Sequence, residues 1–300
     1  MDFDFNLILV PLTLALGLVW LLDKLVWKQR RTKGRGKEST LVRWAYDFFP
    51  VLAVVLIVRS FLIEPFNIPS SSMVPTLYTG DFIAVNKFAY GVRLPLTYNK
   101  VLDTGSPEHG DVMVFRYPEN PSIYYIKRVI GLPGDTVSYD KGTLAINGQP
   151  LDTQLVDFAA DETLTTQLVP AGPRPTGEVV SNEEAIAAGQ EEEDHADYYQ
   201  EVQGNHKHLV RYLEDFNSAQ YAPFLQAESP NVVTSAGTQW EIKVPKSQYF
   251  VMGDNRDRSA DGRYWGFVPE DNLAGKAVYI WMHKAPGLKL PSFSRNGTIN

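Results

Sequence analysis

Three consecutive hydroxyls lie in one short turn, Ile68-Pro69-Ser70-Ser71-Ser72-Met73-Val74-Pro75-Thr76-Leu77. Serine attacks a carbonyl efficiently only when a neighbouring group takes its proton. A second stretch, Tyr124-Tyr125-Ile126-Lys127-Arg128-Val129-Ile130-Gly131-Leu132-Pro133-Gly134-Asp135, offers Lys127 for that task. A lysine is a base only when neutral, and burial in an apolar site is the usual way to bring its pKa down from about 10.4. Read as a strand, residues 124–130 put Lys127 on one face with Tyr125 and Val129, and Arg128 on the other with Ile126, where it stays solvated. Lowering the lysine pKa by two to three units costs roughly 3–4 kcal/mol, which a folded core carries. Alone, each segment is equally an ordinary turn or an ordinary Lys-Arg pair at a strand edge.

The elements around these residues read as β. Alternating runs occupy residues 82–85, 112–117, 124–130, 136–139, 143–146, 240–244, 249–252 and 277–282. Gly80-Asp81, Gly110-Asp111, Pro133-Gly134-Asp135, Asn147-Gly148 and Gly253-Asp254-Asn255 punctuate them. The pattern predicts a mostly β chain, an antiparallel and barrel-like catalytic domain in two parts, 64–150 and 239–300. Residues 151–238 break it and read as an inserted second subdomain, partly mobile. Pro170-Ala171-Gly172-Pro173-Arg174-Pro175 is a linker signal, and residues 178–201 hold nine acids and no Lys or Arg, a mobile segment or a weak helix.

Two apolar segments precede all of this. Residues 5–22 have only Asn6 and Thr13 as polar breaks, close to the length that crosses a bilayer core. A cleaved signal peptide competes with a membrane anchor, but Asp2 and Asp4 stand where that reading needs a basic leader. Residues 44–63 form the second candidate, wholly apolar from 48 to 58, with a buried soluble helix as the alternative. The expected layout is a first transmembrane helix at 1–23, a basic loop at 24–43 and a second transmembrane helix at 44–63. The loop carries eight Lys or Arg against Glu38 alone. Positive loops stay in the cytoplasm, so everything after the second span faces the far side of the membrane. Ser72 is then tied to the membrane surface. Phe82 and Trp281-Met282 are read either as core or as lipid-dipping side chains.

Composition removes other classes. The absence of cysteine excludes disulfides and thiolate chemistry. A net charge of −7, from 28 basic and 35 acidic residues, disfavours nucleic acid as a partner. The five histidines form no triad spacing, and His206-Lys207-His208 reads as a solvated loop rather than a metal site. Pro75 at the third position after Ser72 removes a Ser-x-x-Lys site, and no phosphate-binding glycine loop occurs. No cofactor and no metal is expected.

Taken in order, the strings resemble the bacterial type I signal peptidase (leader peptidase) family. They are Ile-Pro-Ser-x-Ser-Met-x-Pro-Thr-Leu at 68–77, Gly-Asp-Phe-Ile at 80–83, Gly-Asp-Val at 110–112, Tyr-Ile-Lys-Arg at 125–128, Gly-Leu-Pro-Gly-Asp at 131–135 and Gly-Asp-Asn-Arg-Asp-x-Ser-x-Asp at 253–261. The resemblance implies a membrane-anchored serine endopeptidase in which Ser72 is the nucleophile and Lys127 the general base. Ser70 would join the Ser72 backbone N–H in an oxyanion hole. Ser259 would orient the lysine, and Asp254, Arg256, Asp261 and Arg263 would brace the site. Two departures stand out. Ser71 replaces a frequent glycine, which raises the question of a positive φ there, and Gly262 replaces a frequent serine. The implied substrates are signal peptides of exported preproteins cut after Ala-x-Ala. The implied partners are the lipid bilayer and the secretion machinery, and the implied location is the bacterial inner membrane, multi-pass, with the catalytic domain periplasmic. A soluble Ser-Lys autoprotease predicts a DNA-binding N-terminus in place of apolar spans. A non-catalytic anchored binding protein predicts that Ser72 and Lys127 are dispensable.

Overall fold

Apolar side chains on a helix need no water, and the first such run forms α1 (Asn6–Leu22). The computed structural model describes residues 5–166, 168–169, 172–173, 179–214, 216–229, 232–234, 237–285 and 287–300. Four residues of the expected linker, Pro170, Ala171, Arg174 and Pro175, and Glu178 of the acidic tract lie outside the described residues. The chain divides into two compact units, Met1–Glu64 with Asn86–Gly105, and Pro65–Val85 with Ser106–Asn300.

In the first unit α1 continues as a π turn, Asp23–Trp27, and α2 (Thr40–Ile57) continues as another, Val58–Leu62. The continuous helices are 22 and 23 residues long. At 1.5 Å per residue each is about 33 Å, long enough and apolar enough to cross a bilayer core. Both outrun the apolar segments legible in the sequence, because backbone hydrogen bonding does not stop where polarity begins. Trp20 joins the two through ring contacts with Tyr46 and Phe49 at 6.3 and 5.5 Å. The Asp23 carboxylate accepts the Gln29 and Arg30 N–H groups at 2.8 and 3.2 Å and so caps the start of the basic loop.

The second unit is built on antiparallel sheets, as the alternation predicts. Its strands are β1 (Ile63–Asn67), β2 (Asp81–Asn86), β3 (Val112–Tyr117), β4 (Asn120–Gly131), β5 (Thr136–Asp140), β6 (Thr143–Ile146) and β7 (Asp152–Val156). After α3 (Asn182–Asp194) come β8 (Ala196–Gln203), β9 (His206–Leu213), β10 (Gly237–Lys243), β11 (Gln248–Met252) and β12 (Leu273–His283). The main sheet runs β1-β2-β12-β3-β4-β11 and ends on the short strand Val268–Pro269. Ile68, Met73, Leu77, Ile83, Val112, Val114 and Ile280 form one core on it. A second core gathers Ile130, Val137, Trp240, Ile242, Phe250 and Met252. Phe82 lies in neither. Its ring meets Trp281 edge-on at 5.7 Å, and Trp281 is exposed.

The segment between β7 and β10 differs from its sequence reading. The described part of the acidic tract holds a helix, as one of its two sequence readings expects, and then a strand, which neither reading expects. Ser181 and Glu184 form a reciprocal capping box that starts α3, and the acids after it pass into β8. β8 pairs with β7 and β9, with Gln203 opposite His206 across a two-residue Gly-Asn turn. His206 and His208 therefore belong to a strand, and His208 is buried opposite Glu201. Their expected solvated loop does not exist.

β8 also repairs a defect in β4. The β4–β11 register slips at Ile130, where Val251 faces Val129 and Phe250 faces Gly131. Gln203 Nε2 donates to the carbonyls of both Val129 and Ile130 at 3.1 Å. Removing that donor takes a partner from Ile130 O, while Val129 O keeps the Gly110 N–H at 2.9 Å. Gln203→Ala is expected to destabilise the full chain in detergent by about 1–3 kcal/mol in denaturant melts. A loss within about 0.3 kcal/mol would mean that water satisfies the bulge.

Candidate active site

The Ser70–Ser72 turn hangs from the core at both ends. Ile68 precedes it and Met73, Val74 and Leu77 follow, all buried. Ile68 N–H donates to Asp81 O at 2.9 Å, and Gly80 N–H returns to Ile68 O at 2.8 Å. Ser71 has no positive φ, so the glycine-to-serine departure costs the backbone nothing. Its Oγ donates to Leu168 O at 3.0 Å.

Lys127 reaches this turn from β4, where residues 126–131 are buried on both faces of the strand. Its Nζ lies 2.7 Å from Ser72 Oγ and donates to Ile126 O at 2.8 Å. The Tyr125 ring flanks the amine at 5.5 Å and is itself stacked on Tyr117 at 4.5 Å. Burial lowers the Lys127 pKa to about 8, against the pull of the Asp261 and Asp254 carboxylates and with help from Arg263. Ser70 Oγ is 3.5 Å from Ser72 Oγ, and the Ser72 N–H has no hydrogen-bond acceptor among the described residues. A hydroxyl and an amine that burial makes easier to deprotonate thus meet beside an unused N–H.

The turn after β11 carries the charged residues. Gly253 is required by close approach, since a Cβ there would lie 2.3 Å from both Ser72 O and Ser259 Oγ. Gly262 is required similarly, with Phe250 and Val251 O within 2.9 Å of its missing Cβ, so no side chain acts from that position. Asp254 accepts Arg128 Nε and Nη2 at 2.8 and 2.7 Å. Asp261 takes Gly253 N–H at 2.9 Å and Arg263 Nε at 2.8 Å. Arg256 pairs in bidentate fashion with Glu201, and its Nη1 also donates to Tyr212 at 3.0 Å. Burial pushes the Asp254 and Asp261 carboxyls up, but Arg128 and Arg263 more than reverse this and hold both below the ordinary range.

The eight site residues singled out from sequence lie on the Ser70–Ser72 turn, on β4 and on the turn after β11, and two sequence readings differ from what is found. Arg128 is not solvated but fully buried, because Asp254 and the carbonyls of Gly110 and Asn300 cover the face that alternation assigns to water. Ser259 is buried beside Gly253 with its hydroxyl next to the Asp261 carboxylate, whose pKa it helps to lower, and Lys127 Nζ bonds to Ser72 and Ile126 instead. Sequence reasoning missed Asn255, whose N–H donates to Ser72 O at 3.2 Å and whose amide donates to Ser71 O at 3.1 Å. It also missed Glu201 and Arg211. Arg211 N–H donates to Asp254 O at 2.8 Å, tying β9 to the turn.

Such an arrangement suits acyl transfer, with a hydroxyl nucleophile served by a desolvated amine. The family model described as signal peptidase, peptidase S26, matches residues 41–282. A signal peptidase I of Pseudomonas fluorescens is 39% identical over the whole of both chains, and one of Pseudomonas aeruginosa is 40% identical, again over the whole of both. A solved signal peptidase I from Enterococcus faecalis aligns over 57% of this chain and 96% of that one, at 24% identity and a TM-score of 0.26, too loose to carry weight. The chain belongs to the signal peptidase family, peptidase S26.

The Gly253 contact gives a direct check. Gly253→Ala must push Ser72 or Ser259 away, and a displacement near 1 Å costs roughly a hundredfold in kcat. The expected result is that loss in kcat with KM within about twofold of wild type. An unchanged kcat would show that the turn yields without moving Ser72.

Proposed function

We propose that the chain is a membrane-anchored serine endopeptidase that removes N-terminal signal peptides from exported preproteins, using Ser72 and Lys127 as a dyad. One observation carries the reading: a buried amine, its pKa lowered to about 8, 2.7 Å from a serine hydroxyl. Neutral Lys127 Nζ takes the Ser72 proton as Ser72 Oγ bonds to the scissile carbonyl carbon. Ser70 Oγ–H and the Ser72 N–H donate to the oxyanion, an interaction worth about 10²–10³ in rate per donor. The carbonyl re-forms, the carbon–nitrogen bond breaks, and Lys127 returns the proton to the leaving amine. Water then attacks the acyl-enzyme carbonyl while Lys127 takes its proton; the carbonyl re-forms, the Ser72 Oγ–carbon bond breaks, and Lys127 gives the proton to Ser72 Oγ, which restores the neutral amine and the hydroxyl. Asp254, Arg256, Asp261 and Arg263 act through position and not by contact with substrate, and Ser259 packs beside Gly253 with its hydroxyl toward Asp261.

The substrate's acyl half fits the edge of β4 by strand addition. β11 ends at Met252, opposite Arg128, so the earlier part of β4 runs past it. Small side chains before the scissile bond suit an Ala-x-Ala site. The two long apolar helices support anchoring in the inner membrane, and the basic loop between them supports a cytoplasmic loop and a periplasmic catalytic part.

A synthetic preprotein with an Ala-x-Ala site is expected to be cut by the full chain in detergent. Ser72→Ala and Lys127→Met are expected to abolish cutting. Lys127→Met also removes a buried group whose pKa falls from 10.5 to about 8 on folding. That fall corresponds to about 3 kcal/mol against the folded state. The cost is full below pH 8, fades between 8 and 10.5, and is gone above. Lys127→Met should therefore be the more stable protein at pH 7. A variant that still cuts at a rate near wild type would rule out the dyad.

The second expectation concerns pH in the wild type. The base is the neutral amine, so kcat/KM should rise tenfold per pH unit below about 8 and level off above it. A profile flat from pH 6 to 9 would remove Lys127 as the base.

A further inference from the structure

Ser70 and Ser71 border more than Ser72. A cavity of about 670 Å³ opens beside them. Leu168, Val169 and Ala185 and Ile186 of α3 line it, as does exposed Lys289. This wall is fixed to the serine turn, because Ser71 Oγ donates to Leu168 O at 3.0 Å and Leu168 packs with buried Val74 and Tyr78. No residue of β4 lines the cavity. It is therefore separate from the strand edge assigned above to the acyl half of the substrate.

We propose that this cavity binds the substrate residues on the carboxyl side of the scissile bond, and that the 151–238 segment thereby selects which preproteins are cut. The inference rests on the function proposed above. A chain that follows β4 brings its carbonyl to Ser72 Oγ from the Lys127 side. Beyond that carbonyl it leaves β4 and next meets Ser70, whose hydroxyl is only 3.5 Å from Ser72 Oγ. The space there is walled chiefly by aliphatic side chains with hydroxyls at its near edge, which suits an extended backbone with an apolar side chain turned inward. The exposed Lys289 in its lining attracts an acidic neighbour and repels a basic one. A volume in the usual range of ligand pockets leaves room for such a segment.

The test is a peptide panel in which the Ala-x-Ala half is constant and the leaving half varies in bulk and charge, cut by the full chain in detergent. Ile186 is 38% exposed, so Ile186→Trp fills the cavity without touching a core. Its kcat/KM should fall roughly tenfold on bulky leaving halves. On small ones it should change by less than about twofold. Lys289→Glu, at an exposed position, should invert the preference between acidic and basic leaving halves. A companion panel that varies only the acyl half should keep the wild-type ranking in both variants. Unchanged leaving-half rankings, or a changed acyl-half ranking, would overturn the subsite while leaving the peptidase reading intact. A wild type that cuts no peptide would overturn both.

Discussion

The site depends on keeping one amine out of water. Lys127 Nζ is useful only to the extent that it is neutral, and water is what would charge it. Burial on both faces of β4, the Tyr125 ring and the Ser70–Ser72 turn remove that water. The consequence is a penalty of about 3 kcal/mol on the folded state, a sizeable part of a domain's net stability. The rest of the unit has to absorb that penalty without letting the amine move toward solvent.

Three buried ion pairs hold the surroundings still. Arg128 with Asp254, Arg256 with Glu201 and Arg263 with Asp261 are all bidentate or nearly so, and all are buried. Buried pairs are poor sources of stability, because desolvation offsets most of their attraction. Their value here is geometric. Each arginine is shared with a backbone carbonyl or a hydroxyl from a distant part of the chain: Arg128 with Gly110 O, Arg263 with Ser218, Arg256 with Tyr212. The Gly253–Arg263 turn is thereby pinned on several sides, and Asn255 passes that rigidity to the backbone of Ser71 and Ser72. The charges also cancel pairwise. A lone carboxylate near Nζ would restore the lysine proton, whereas Asp261 neutralised by Arg263 leaves desolvation in control.

Ser72 and Lys127 were legible because each lies in a local pattern. The hydroxyl turn follows an apolar run, and strand alternation gives Lys127 aromatic and apolar neighbours. Alternation was silent about Arg128, since a period of two says which face a side chain points to and nothing about what covers that face. The partner of Arg256 was invisible for a different reason. Glu201 sits 55 residues from Arg256 in a tract whose composition is that of a solvated helix. Its role comes from cross-strand register, which no local window reports. Two signals in that tract were nonetheless present. Ser181-Asn182-Glu183-Glu184 has the spacing of a capping box, and Gly204-Asn205 between alternating residues is a two-residue hairpin turn.

The segment between β7 and β10 does two jobs at once, and they are linked. Through Arg211 and Glu201 it locks the turn that supports Ser72, and through Leu168 and α3 it borders the space next to Ser70. A loosely attached decoration could do neither, because both need sub-ångström placement relative to the hydroxyl. The same backbone that braces the nucleophile therefore also shapes what can approach it. Ile186 is exposed, whereas Glu201 and Arg211 are committed to Arg256 and Asp254, so the two jobs fall on different residues of one segment.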